Sequence, residues 1–156
     1  MNLHKKQVIL RMLTTALTVL IVGFIFFQSL KPATESSSAS GRVVALLNSI
    51  TTALGLGQPF SQPFVRTCAH FTEFAVLSIS TLAMLRTYSV KHKQGVLIST
   101  ISTLIVAVCD ECIQIFSDGR TFQLKDICVD FLGGISGCLL LLLILYIISK
   151  RKSRKS

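Results

Sequence analysis

The chain has 156 residues, 51% of them hydrophobic, with a formal net charge of +9 and a mean hydropathy of +0.65. That apolar fraction is close to a soluble average, so the mean excludes little. Its segregation into long uncharged runs argues against a soluble α-bundle, whose helices alternate polar and apolar faces. The positive charge forms no basic face with interleaved aromatics, which argues against a nucleic-acid partner.

In chain order, the first run is Met12 to Leu30, 19 residues without a charge. A helix needs about 20 apolar residues to cross about 30 Å of hydrocarbon, so residues 12–30 read as a first span. Lys5, Lys6 and Arg11 before it, and "SSSAS" after it, also suit a secretory signal. The apolar core exceeds the roughly 7–15 residues of such a signal, which favours a retained anchor. No side chain in this run suggests chemistry. "KPATESSSASG" then reads as a flexible loop. In "RVVALLNSITTALGLG", Val43, Leu46, Leu47, Ile50 and Leu54 share one helical face, opposite Asn48, Thr51 and Thr52. Residues 42–56 are therefore expected as an amphipathic helix at the outer interface, either a lid or a packing helix.

Three further spans are expected over residues 67–85, 95–116 and 127–148. On the second, Arg66, His70, Glu73 and Leu77 follow the 4, 3, 4 spacing of one helix face. On the third, Thr100, Thr103, Ala107, Asp110, Glu111 and Gln114 make a small and polar stripe. On the fourth, Asp126, Asp130, Gly133, Gly134 and Gly137 line one side, and Gly133 with Gly137 is a small-xxx-small contact. The fold expected is an all-α integral membrane bundle of four transmembrane helices plus one interfacial helix, in a single domain over 1–156.

With both termini inside, the cytoplasmic segments hold Lys5, Lys6, Arg11, Arg86, Lys91, Lys93, Lys150, Arg151, Lys152, Arg154 and Lys155, which is 11 of the 16 Lys and Arg. That bias predicts a multi-pass protein with cytoplasmic N- and C-termini. The seven acids, Glu35, Glu73, Asp110, Glu111, Asp118, Asp126 and Asp130, all fall in the outer loops or the outer half of a span. At about 1.5 Å rise per residue, Glu73 lies roughly 9 Å, Asp110 and Glu111 roughly 8–9 Å, and Asp130 roughly 6 Å from the outer ends of their helices. An acid at the centre of a lipid-facing helix costs about 2.5–3.5 kcal/mol, so such residues normally face the bundle interior, pair, or line a wet cavity. His70, Arg66, Arg120 and Lys125 are at hand as partners. A buried polar network can also serve only to hold helices together, though intramembrane hydrogen bonds average only about 0.6 kcal/mol. Cys109 and Cys112 form a C-x-x-C within the third span. A metal or redox pair is one reading, and cysteine as a small apolar residue is the other.

Three stretches together resemble a known family: the pattern R-x-x-x-H-F-x-x-x at Arg66 to Phe74, D-E-x-x-Q-x-F-x-x-G-R at Asp110 to Arg120, and D-x-x-x-D-x-x-G-x-x-x-G at Asp126 to Gly137. The chain resembles the VanZ-like family over residues 66–142. The resemblance implies a small polytopic protein of the cell membrane and envelope, linked to resistance to the glycopeptide teicoplanin, with no settled reaction. The residues expected to carry chemistry are His70, Asp110, Glu111 and Asp126. His70 and Glu111 would handle protons, and Asp110 and Asp126 would orient partners or hold a divalent metal. Arg66, Gln114, Arg120 and Asp130 are expected to bind substrate, with Arg120 at the mouth gripping a phosphate or carboxylate by its forked donors. Glu73 is the residue of this set that the family pattern supports least. No cofactor is assigned, and a divalent cation is the one candidate; oxygen ligands would suit Mg, Ca or Mn better than zinc. The partners expected are membrane lipids or a lipid-linked envelope precursor. A small transporter or proton pathway, and a non-catalytic scaffold, are the alternatives.

Overall fold

The structure is a computed structural model that describes residues 3–154. Five helices follow one another: α1 (Leu3–Ser29), α2 (Ala33–Ala53), α3 (Gln62–Thr87), α4 (His92–Gln114) and α5 (Leu124–Ser153). Among them α1, α3, α4 and α5 are long and apolar enough to cross a membrane. The four run alternately up and down, so the start of α1 and the end of α5 share one end of the bundle, with the α3–α4 turn. The other end holds α2 and the α4–α5 connection.

The packing is that of a protein in lipid. Among the described residues that are buried, twelve are polar or charged and seven are apolar. The outside carries Leu13, Leu17, Leu20, Phe24, Leu97, Ile105, Leu139, Leu143 and Ile147, all exposed. A water-soluble bundle would reverse that distribution, because apolar surface leaves water and polar groups stay in it.

α5 lies closest to α3, and the glycines of α5 are the cause. A Cβ at Gly133 or Gly137 would fall inside contact distance of the carbonyl oxygens of Phe71 and Ala75 on α3, and one at Gly134 would run into the Thr103 side chain on α4. Without side chains there, the α5 backbone seats directly on α3. Lower in the bundle the interior is closed by hydroxyls. Thr18 bonds Ser80 at 2.8 Å, and Ser78 meets Ser99 at 3.2 Å and Cys138 at 3.0 Å. At the far end Arg11 donates to the Thr87 carbonyl at 2.9 Å and lies over the Tyr88 ring, pinning the start of α1 to the end of α3.

The Ser-rich stretch expected as a flexible loop is helical instead: α2 begins at Ala33, not near Arg42. Pro32 sits at its N-cap, where a residue without N–H costs nothing, and Glu35 lies in the first turn, where a negative charge suits the helix dipole. The Ala33 amide is bound by the Asp118 carbonyl at 3.0 Å, an anchor far along the chain. At the other end α2 stops at Gly55 and Gly57, both with φ near +75°. Its polar face is occupied by its own connection: Asn48 bonds both the amide and the carbonyl of Phe60, and Thr51 bonds the Gly57 carbonyl. Val43, Leu46, Ile50 and Leu54 are left exposed as an apolar face.

Candidate functional site

The close seating of α5 on α3 sets the site. Asp130 lies one turn before Gly133, and His70 is adjacent to Phe71, whose carbonyl Gly133 touches. The two side chains therefore meet: His70 Nδ1 stands 3.3 Å from Asp130 Oδ1. The distance is that of an ion pair, but the angle misses that of a hydrogen bond, and Nδ1 and both Asp130 carboxylate oxygens have no hydrogen-bond partner. Asp130 is fully sealed, at 0% exposure. Asp110 reaches the same point from α4, so that one donor atom from each of His70, Asp110 and Asp130 lies within 4.8 Å of the others.

Asp110 is held on its far side. Ser29, the last residue of α1, donates to its Oδ1 at 2.5 Å, and Gln114 Nε2 donates to its Oδ2 at 3.0 Å. The same Gln114 amide donates to Glu111 Oε1 at 3.0 Å and accepts from Arg66 at 3.4 Å. Glu111 Oε2 receives the backbone amide of Gln123, the N-cap of α5, at 2.7 Å. Asp110, Glu111 and Gln114 are one face of α4 at i, i+1 and i+4, and all three are buried. Glu111 thus ties α4 to the start of α5, and Gln114 bridges the two acids and Arg66.

The α4–α5 connection folds back over the end of α1. Gly119 has φ +72°, a left-handed conformation that L side chains disfavour, and this turns the chain so that Arg120 points inward. Ser117 donates to the Ser29 carbonyl at 2.7 Å and Arg120 to the Gln28 carbonyl at 3.4 Å. Burial holds the Arg120 guanidinium below its usual range, and the charge of Arg66 adds to this, while Asp110, Glu111 and Asp126 oppose it. Phe116, from the same motif, is 84% exposed and points away from the site.

Two cavities open beside the cluster. One of about 500 Å³ is walled by Ser29, Lys31, Arg42, Arg66, His70, Glu73 and Arg120 among others. The second, about 260 Å³, is lined by Ser37, Ser40, Arg66, His70, Lys125 and Asp126. A third space, an apolar groove of about 890 Å³ between α1 and α3, is lined by Val19, Leu20, Phe24, Phe27, Val76 and Glu73. His70 and Arg66 border both polar cavities, and Glu73 borders the larger of them and the groove.

Of the residues singled out from the sequence, His70, Asp110 and Asp130 converge on one point, with Gln114 and Glu111 in the network behind Asp110. Arg66, Arg120, Glu73 and Asp126 stand in the cavity walls. Asp126 is a full turn from Asp130 and is half-buried at the rim, so Asp130, not Asp126, joins Asp110 as the second carboxylate of the cluster. Two contributions escaped sequence reasoning. Ser29 is 3% exposed and holds Asp110, although the first span had shown no side chain of interest. The only hint was a polar residue at its end. Helix α2 supplies Ser36, Ser37 and Ser40 to the cavity walls from a stretch that reads as a linker. Cys109 and Cys112 are exposed on the outside of α4 and unpaired, away from this cluster.

A polytopic helical membrane protein with a half-buried His beside buried carboxylates at one end is the class these features define. A family model described as VanZ/LLP1 matches residues 14–146, most of the chain, and the protein belongs to that family. The match extends well N-terminal of the motifs at 66–142 and takes in α1 from residue 14 onward, with Ser29, and all of α2. No curated protein and no solved structure gives a match.

Proposed function

We propose that this VanZ/LLP1 protein resides in the cell membrane with its polar site just below the outer surface, and binds the anionic head group of a lipid-linked envelope molecule there. The family's link to glycopeptide resistance, teicoplanin in particular, is the setting this reading adopts. The orientation rests on charge: Lys5, Lys6, Arg11, Arg86, Lys91, Lys93 and the 150–154 cluster lie at one end of the bundle, and such cationic segments stay cytoplasmic. That puts both termini inside and the cavities outside.

The observation that carries the reading is the junction of two unlike spaces. The cavity of about 500 Å³ has Lys31, Arg42, Arg66 and Arg120 in its wall against Glu35 and Glu73, an excess of cations suited to phosphate or carboxylate. The apolar groove of about 890 Å³ lies alongside it on the lipid face, and Glu73 borders both. A head group in the first with an acyl or prenyl chain in the second satisfies both chemistries at once. A free polar solute would leave the groove unused.

The test is binding of anionic phospholipid and of a polyprenyl phosphate to the purified protein by native mass spectrometry, with teicoplanin susceptibility of expressing cells as the cellular readout. Arg66→Gln and Arg120→Gln are expected to lose lipid adducts and any protection together while remaining folded. Folded variants with unchanged adducts and unchanged susceptibility would remove the reading. A proton pathway is the second reading, favoured by the pair of half-buried His70 and sealed Asp130. Beyond that pair, the interior toward the other end holds Thr18, Ser78, Ser80, Ser99 and Cys138, with no buried His or charged side chain among the described residues. Proton uptake coupled to a solute in reconstituted vesicles would establish it instead.

A further inference from the structure

We propose that His70, Asp110 and Asp130 form a divalent-cation site with one imidazole and two carboxylate ligands, taking Mn2+ or Zn2+. Each ligand comes from a different helix, α3, α4 and α5, and one donor atom of each lies within 4.8 Å of the others. Ligands bonded to an ion at about 2.1 Å stand no more than about 4.2 Å apart, so closing on a cation takes an inward shift of under about 1 Å.

Three independent features point to the same ligand. Asp130 is completely buried, yet neither carboxylate oxygen has a hydrogen-bond partner: Oδ1 has only the ion-pair contact with His70 Nδ1 at 3.3 Å, and Oδ2 has none. Polar groups sealed in this way are rare unless something satisfies them. Next, no Lys or Arg lies within ion-pair distance of any Asp or Glu among the described residues; the contact between His70 and Asp130 is the pair present. A divalent cation that took the place of the His70 proton would be balanced by the two carboxylates, with the imidazole bound in its neutral form. Last, Asp110 is oriented from behind by Ser29 and Gln114, the kind of outer hydrogen bonding that metal-ligating carboxylates receive.

The donor set narrows the ion. Ca2+ takes six to eight oxygens and Mg2+ few protein ligands and no imidazole by preference, so the nitrogen shifts the choice to a first-row metal. The thiols that would favour a softer ion are elsewhere: Cys109 and Cys112 face outward on α4. Three protein ligands leave coordination positions open, and His70 borders both polar cavities. A head-group oxygen would complete the shell from there; that step alone rests on the lipid reading, whereas the cation site does not.

The experiment uses the full-length protein in detergent, purified without a histidine tag, stripped with chelator and titrated with MnCl2 while free Mn2+ is followed by electron paramagnetic resonance. Zn2+ is scored by competition. Wild type is expected to take up a single ion per chain. His70→Gln and Asp130→Asn should weaken uptake at least about tenfold, while Asp118→Asn, an exposed loop acid, should match wild type. Bound Mn2+ in the wild type should also show nitrogen coupling from one imidazole by pulsed resonance, a readout that needs no variant to fold. Absence of saturable uptake by monodisperse wild type, unchanged uptake in folded His70→Gln and Asp130→Asn, or bound Mn2+ without nitrogen coupling would each overturn the site. Uptake that persists in Arg66→Gln and Arg120→Gln after lipid adducts are lost upholds the cation site. If those variants keep both their lipid adducts and the ion, the head-group reading fails and the cation site stands.

Discussion

Gln114 is the residue on which most of the buried polar network turns. Its amide nitrogen serves Asp110 and Glu111, and its carbonyl receives Arg66. A shape-matched apolar replacement leaves two carboxylate oxygens without a donor in a place water does not reach. Gln114→Leu is therefore expected to destabilise the protein by about 1–3 kcal/mol, read as a lowered thermal midpoint in detergent. Gln114→Glu should do worse at neutral pH than Gln114→Leu, since it adds a third carboxylate to the pair. Arg120 makes a different kind of contact. Its Nε is buried and unpartnered, and its Nη2 meets the Gln28 carbonyl only at 3.4 Å. A planar fork with a spare donor is suited to an incoming anion, and lysine keeps the charge but not the fork. Arg120→Lys should cut anionic-lipid affinity by about tenfold, equivalent to about 1.4 kcal/mol, with little change in thermal midpoint. The residues of this face of α4 were readable in the sequence as a small and polar stripe in an apolar run. Their division of labour was not, because which carboxylate faces His70 depends on how far α5 is rotated against α3.

At the level of elements, the glycines of α5 decide how deep the site can be. A side chain at Gly137 would strike the Ala75 carbonyl, which as backbone cannot move aside alone. Gly137→Leu should push α5 off α3, cost about 1–3 kcal/mol, and lower the midpoint of denaturant unfolding; it should also weaken the contact of Asp130 with His70. Gly119 acts through conformation: its positive φ aims Arg120 inward, and Gly119→Ala should cost about 1–2 kcal/mol, with the Ala33 side chain close behind it. The small-xxx-small pattern could be read in advance because it is a spacing within one helix. The helicity of residues 33–41 could not, since Ser-rich composition is ambiguous and the bond that anchors this turn comes from the Asp118 carbonyl, 85 positions away in the chain.

At the scale of the molecule, polarity is graded along the bundle axis. The end with α2 holds every acidic residue and two polar cavities, and the opposite end carries basic clusters. If that gradient sets the topology, a cysteine at Ser37 should react with an impermeant maleimide added outside intact cells. A cysteine at Ser153 should react only after permeabilisation. The reverse pattern would invert the orientation and put the site at the cytoplasmic face.

The chain by itself determined the class of fold and the neighbourhood of the site. Apolar run length is dictated by bilayer thickness, and ionisable residues in such runs must turn inward, so four spans and a shared polar end follow from local composition. Tertiary structure alone decided that Asp130 and not Asp126 meets His70, that Ser29 reaches Asp110, and that Glu111 is spent on the start of α5. Those outcomes depend on the rotation and depth of one helix against another. That is set by backbone approach at Gly133 and Gly137 and by the clamp of the 117–120 turn, contacts between parts of the chain that no local pattern relates.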